Sequence, residues 1–123
     1  VTVADSAAEL VAALEAAGLR VAVRDGDITP PVVYIRIGTG SSIGGSLAVP
    51  ATTVFYVYYI PVRGVDNLTG DAAALDTVME ALTSITWAEV TFTASSVTVK
   101  NETWPCYRLD VALAATAATS RGT

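Results

Sequence analysis

The 123 residues suffice for one two-layer domain and are too few for two independent cores. Hydrophobic residues make up 52% and charged residues 15%, with a net charge of −5, so little charge is left to cover a surface and the balance leans toward an oligomer. Seven scattered basic residues against twelve acidic ones argue against tight binding to a phosphate backbone, and a chain with no histidine and one cysteine, Cys106, lacks the usual zinc ligands and any internal disulfide.

The opening Val1-Thr2-Val3-Ala4-Asp5-Ser6 has no basic stretch followed by an apolar one, so no secretory signal is expected there and a reducing compartment is the simpler expectation. Ser6 followed by Glu9 fits a capping box, and Leu10, Val11, Leu14 and Ala17 line one face, which predicts a helix over 6–17 stopped by Gly18. A half-buried strand is expected over 19–24, followed by a turn at Asp25-Gly26-Asp27. After Pro30-Pro31 the run Val32 to Ile37 is β-branched and aromatic and reads as a second strand.

From Gly38 to Pro50 the chain is rich in Gly and Ser and predicts a mobile loop. Thr52 to Ile60 is the most strand-like stretch, and Pro61 stops it. The longest apolar run, about nine residues from Val54 to Val62, falls well short of the roughly 20 that a membrane-spanning helix needs. Leu75, Val78, Met79 and Leu82 recur at helical spacing, which predicts a second helix over 70–84 with Asp71 near its N-terminus. Alternation over 87–93 and 106–113 predicts the fourth and fifth strands, and the small residues from Ala114 onward predict a fraying tail.

The expected fold is therefore α+β, in the order α-β-β-β-α-β-β. A largely antiparallel five-stranded sheet would carry two helices on one face, with residues 1–115 as a single domain and 116–123 as a flexible tail. Two helices shield one side of such a sheet, and the other side normally alternates apolar with polar. The third strand does not alternate. Val54, Tyr56, Tyr58 and Ile60 stand on one side and Phe55, Val57 and Tyr59 on the other, so an apolar band remains whichever side the helices take. Either that band is an interface, or the strand curls between two cores or a loop folds over it. Self-association is the expectation.

The chain offers little chemistry. Without histidine there is no Ser-His-Asp or Cys-His arrangement, and the single lysine, Lys100, falls in a polar turn. Cys106 reads as a small buried residue. The loop Gly38-Thr39-Gly40-Ser41-Ser42-Ile43-Gly44-Gly45 lacks the Lys-Ser/Thr ending of a phosphate loop, has Ile43 where a dinucleotide fingerprint wants Gly, and joins two strands. Asp25 and Asp27, with Asp66, lack the further oxygen ligands that calcium requires, and Glu9, Glu15, Asp76 and Glu80 fall on predicted outer helix faces. Asn67-Leu68-Thr69 and Asn101-Glu102-Thr103 match the glycosylation pattern, which matters only in a secreted eukaryotic chain. No enzymatic activity, cofactor or metal is expected.

The opening Asp5 to Gly18, the strand pair around Thr29-Pro30-Pro31, the acidic Ala/Leu-rich second helix and the strand beginning Pro105-Cys106-Tyr107-Arg108-Leu109 together resemble phage tail terminator proteins, in the small form found in siphophages of actinobacterial hosts. The similarity spans most of the chain and rests on element order, length and composition. It implies a structural virion protein of the tail and neck region, assembled in the host cytoplasm. Such a protein forms a hexameric ring on the last ring of tail-tube subunits, stops tube growth and presents a surface to the head-completion protein. DNA passes through the lumen without specific binding, which suits an acidic chain.

Under that resemblance the third strand with the second would form the subunit contacts, through Tyr34, Arg36, Phe55, Tyr56, Val57, Tyr58 and Tyr59. The loop bearing Gly40, Ser41, Ile43, Gly44 and Leu47 would order when the tube or neck docks. Another neck or head-closure protein is the alternative within the virion. A small ligand-binding module, with a pocket lined by Tyr56, Tyr58 and Trp87, is the alternative outside it.

Overall fold

The computed structural model describes residues 3–41, 50–62, 67–86 and 88–116. Its elements are α1 (Val3–Ala16), β1 (Val21–Ala22), β2 (Val32–Ser41), β3 (Pro50–Ile60), α2 (Leu68–Thr83), β4 (Thr91–Val99) and β5 (Glu102–Thr116). They build an α+β fold around one five-stranded mixed sheet in the order β1-β2-β3-β5-β4. None of the described helices is long and apolar enough to cross a membrane.

Both helices pack on one side of the sheet. Leu10 and Leu14 of α1 and Leu75, Val78, Ala81 and Leu82 of α2 meet Val33, Phe55, Val57, Tyr59, Leu109, Val111 and Leu113 in the main core. The sheet residues alternate along each strand, so the helices take one parity and leave the other. Ser6, expected as the helix cap, instead lies inside α1 and is buried. It continues the stripe of Leu10 and Leu14 at intervals of four, which is the face turned to the sheet. The other end of α1 follows the glycine signal: Gly18 has φ +86, Leu19 N–H donates to Leu14 C=O at 3.2 Å and Gly18 N–H donates to Glu15 C=O at 3.0 Å. That pair of bonds is a Schellman stop, and it turns Leu19 back onto the core.

The N-terminus of α2 is set by Asn67, whose side-chain oxygen accepts from Gly70 N–H at 3.1 Å. Asn67→Ala is expected to cost about 1 kcal/mol, read as a lower urea midpoint with an unchanged slope.

Three expectations are corrected. First, β1 is shorter than expected and runs parallel to β2, with Val21 opposite Val33 and Ala22 opposite Tyr34. The Asp25–Asp27 segment is a 3-10 turn, and the connection it belongs to crosses the sheet instead of reversing. Ile28 anchors it by packing on a second cluster of Ala22, Val32, Tyr34, Ile60, Val99 and Cys106, on the side away from the helices. Second, β2 extends to Ser41 and β3 begins at Pro50, so the ends of the expected loop are paired strand; residues 42–49 lie outside the described residues.

Third, the last two strands form a hairpin displaced from the expected ranges, turning through Lys100 and Asn101 at φ 52 and 66. Two left-handed residues make the turn whose twist suits a two-residue hairpin. β5 then continues through Ala114, Ala115 and Thr116, paired with Thr52, Ala51 and Pro50, where fraying was expected. Pro105 is accommodated because it faces Ser96 at a position that makes no ladder bond to β4, and β3 pairs with β5 only from Tyr107 onward.

Candidate assembly surface

The side of the sheet away from the helices carries the candidate site. Strand register places its residues in two rows. One runs Tyr34, Tyr58, Arg108, Thr93 across β2, β3, β5 and β4, and the next runs Arg36, Tyr56, Asp110, Thr91. The β1–β2 connection packs on Val32, Ile60 and Tyr34, with Tyr58 beside them, so this end is a small second core that reaches into the first row, while neither helix covers this face.

Each large side chain in the rows is held by a neighbour. Tyr34 is buried, donates its hydroxyl to Asp25 Oδ1 at 2.6 Å and accepts from Arg36 Nη1 at 2.8 Å. Arg36 also lies 3.8 Å from Asp25 and 5.8 Å from the Tyr34 ring centroid. Tyr58 packs beside Tyr34 with centroids 6.1 Å apart, and meets Tyr56 edge-on at 6.5 Å. The Arg108 guanidinium sits 4.7 Å from the Tyr56 ring centroid, a cation–π distance. Arg108 Nε stands 3.0 Å from Asp110 Oδ1 as an ion pair without hydrogen-bond alignment, while Nη2 donates to Oδ2 at 3.4 Å.

Gly38 completes the arrangement. β2 breaks register between Ile37 and Thr39, and a Cβ on Gly38 would stand 2.6 Å from atoms of the Tyr56 ring. The ring therefore lies against bare backbone at a position that only glycine leaves open.

Two arginines and two aspartates leave the patch formally neutral on a chain of net charge −5. Like subunits can meet through such a patch without repulsion. Tyr and Arg are also the residue types enriched where protein interfaces bury their centres, and side chains already fixed by neighbours lose little freedom on contact.

Of the residues expected at the interface, Arg36, Tyr56 and Tyr58 are brought together on this face, while Tyr34, 1% exposed, is buried in the second core and supports them from beneath. Phe55, Val57 and Tyr59 are not: they point at the helices and are 0%, 0% and 7% exposed, because alternation along β3 assigns odd positions to the main core. Gly40 sits in β2 opposite Thr53, and of Ser41 only the backbone pairing is described; Ile43, Gly44 and Leu47 lie outside the described residues. Asp25, Gly38, Arg108 and Asp110 were not expected in the patch. Alternation in β5 puts Arg108 and Asp110 opposite its apolar set, which is a legible signal, whereas nothing in the sequence joins Asp25 to Tyr34.

A groove of about 360 Å³ runs between α2 and β4, lined by Leu68, Leu75, Met79, Phe92 and Tyr107 with Asp71 and Asp76 at its rim. Neither Tyr56 nor Tyr58 lines it, and Trp87 lies outside the described residues. Among the described residues no three His, Cys, Asp or Glu side chains converge as metal ligands would.

Burial raises the hydroxyls of Tyr34, Tyr58 and Tyr59 above their ordinary value of 10.0, aided at Tyr34 by the bond to Asp25 and opposed by Arg36. Burial also pushes the Cys106 thiol from 9.0 up to about 11, so at neutral pH it is a packed thiol and not a nucleophile. Raised values mean that the native state holds these protons more tightly than the unfolded chain. Their contribution to stability is complete below the ordinary values and is lost as pH rises through the raised ones. The thermal midpoint is accordingly expected to fall between about pH 9 and 11, and a midpoint level to pH 11 would contradict the burial of these groups.

The chain matches no protein-family model and no curated protein.

Proposed function

We propose that this protein is a structural assembly subunit, the tail terminator of a long-tailed phage. In this reading it forms a hexameric ring at the neck of the virion, caps the tail tube and joins it to the head-completion protein, with DNA passing through the lumen. The observation that carries the assembly role is the neutral patch of Asp25, Arg36, Tyr56, Tyr58, Arg108 and Asp110, set around the buried Tyr34 on the sheet face that the helices leave uncovered. The resemblance of element order, length and composition supplies the identity of the assembly.

The test has two stages. Electron microscopy of the purified protein is expected to show six-fold rings with an open centre, of at least about 76 kDa from a protomer of 12.7 kDa. Deleting the coding sequence from the phage is expected to leave tails of irregular length that lack heads. Tails of normal length on headless particles would indicate a head-closure protein instead, and a protein that stays monomeric in the presence of tail tubes would sink the proposal.

A further inference from the structure

β4 ends the sheet on one side, and no described strand pairs with its outer edge. Thr91 to Thr98 are exposed on both faces except for Val97, which is half-buried, so among the described residues neither helix nor loop stands in the way of another strand. The hairpin turn at Lys100 and Asn101 fixes which main-chain groups face outward. Val99 and Glu102 flank a two-residue turn and form a hydrogen-bonded pair, so odd positions of β4 bond to β5. Phe92, Ala94, Ser96 and Thr98 then turn their N–H and C=O groups away from the sheet.

Native sheets blunt such edges with charge, proline, bulges or brevity. β4 has none of these: it is Thr-Phe-Thr-Ala-Ser-Ser-Val-Thr-Val, nine regularly paired residues without a charged side chain. The opposite edge differs. β1 is two residues long, and the open remainder of β2 carries Arg36 and the register break at Gly38. A strand about 30 Å long with unpaired main-chain groups and no deterrent is built to be covered.

We infer that the free edge of β4 pairs antiparallel with the β4 edge of a second copy of this chain, about a two-fold axis through Ser95. In that register Ala94 faces Ser96 of the second copy and Phe92 faces Thr98, which forms about eight main-chain hydrogen bonds from the outward groups. The uncharged strands oppose no like charges. Just beyond the strand, Lys100 of each copy falls opposite Val90 of the other, beside its exposed Glu89; the exposed Lys100 side chain, which lies toward Gly26 in the protomer, swings outward so that both ends close on opposite charges. Phe92, 51% exposed in the protomer, gains a neighbour at the junction. The choice of a second copy rests on this self-complementarity. The inference goes beyond the ring and does not depend on it, because the edge and the tyrosine patch are different surfaces; both satisfied together give a dihedral assembly.

The experiment uses a Tyr56→Ala/Tyr58→Ala background, which removes the patch and leaves the edge. Sedimentation equilibrium in that background is expected to give a dimer of about 25 kDa, and a mass of 12.7 kDa at every concentration would overturn the inference. Adding Ser96→Pro removes an outward N–H without touching the bonds to β5 and is expected to weaken the dimer about a hundredfold or more. Ala94→Lys, at an exposed position opposite Tyr107, repeats the test should the proline disturb the hairpin. A folded Ala94→Lys protein that dimerises as before would also overturn the inference. Glu89→Lys is expected to weaken the dimer about three- to tenfold, and Glu89→Lys/Lys100→Glu to restore it. Absence of that restoration would rule out the Ser95-centred register.

Discussion

Phe55→Ala is expected to cost about 3–5 kcal/mol of protomer stability, a large part of the roughly 5–15 kcal/mol that holds a domain of this size. The ring is fully buried between the sheet and both helices, in a cluster with Leu10, Leu14, Val78 and Leu82. Deleting it removes the transfer free energy of the ring and leaves a cavity that the rigid sheet cannot close. Urea denaturation at fixed protein concentration should show the midpoint falling by about 2 M. A loss below about 1 kcal/mol would mean that Phe55 is not packed under the helices.

The neighbouring residues should behave in the opposite way. Tyr56→Ala/Tyr58→Ala is expected to leave a folded protomer and to remove assembly through the open face. Each ring is half-buried on that face and fixed by contacts within the protomer: Tyr56 by Gly38 and Arg108, Tyr58 by Tyr34. Interface anchors of this type contribute about 2 kcal/mol or more each, so together they should weaken association roughly a thousandfold. Circular dichroism should show the sheet and helices retained while sedimentation loses the large species. Adjacent positions on one strand would then separate, Phe55 governing folding and Tyr56 and Tyr58 governing assembly.

That division explains how far the sequence could be read. The continuous aromatic run of β3 announced that both sides of the strand carry large residues, and the chain order announced that helices cover one side. It did not say which parity the helices take. Phe55 and Tyr56 are equally apolar in sequence, and only the packing of Leu10, Leu14, Val78 and Leu82 decides between them. Helical periodicity and Gly18 located both helices to within a few residues, because these signals are local.

The missed features have physical reasons of their own. Ala94 to Thr98 gave no strand signal because an edge strand with water on both faces needs no hydrophobic period. The parallel pairing of β1 depends on Ile28 and Asp25 reaching across the sheet to Val32 and Tyr34, and the Asp-Gly-Asp that reads as a hairpin is part of that crossing. Gly38 looked like loop composition and proved to be the seat of the Tyr56 ring.

The central claim, that the uncovered face of the sheet is where copies of this protein assemble, is tested most directly by sedimentation equilibrium of the native chain beside Tyr56→Ala/Tyr58→Ala. The account predicts a native species of at least about 76 kDa and a variant no larger than about 25 kDa, both with intact secondary structure. A variant that assembles like the native chain, or a native chain that remains at 12.7 kDa, would contradict it.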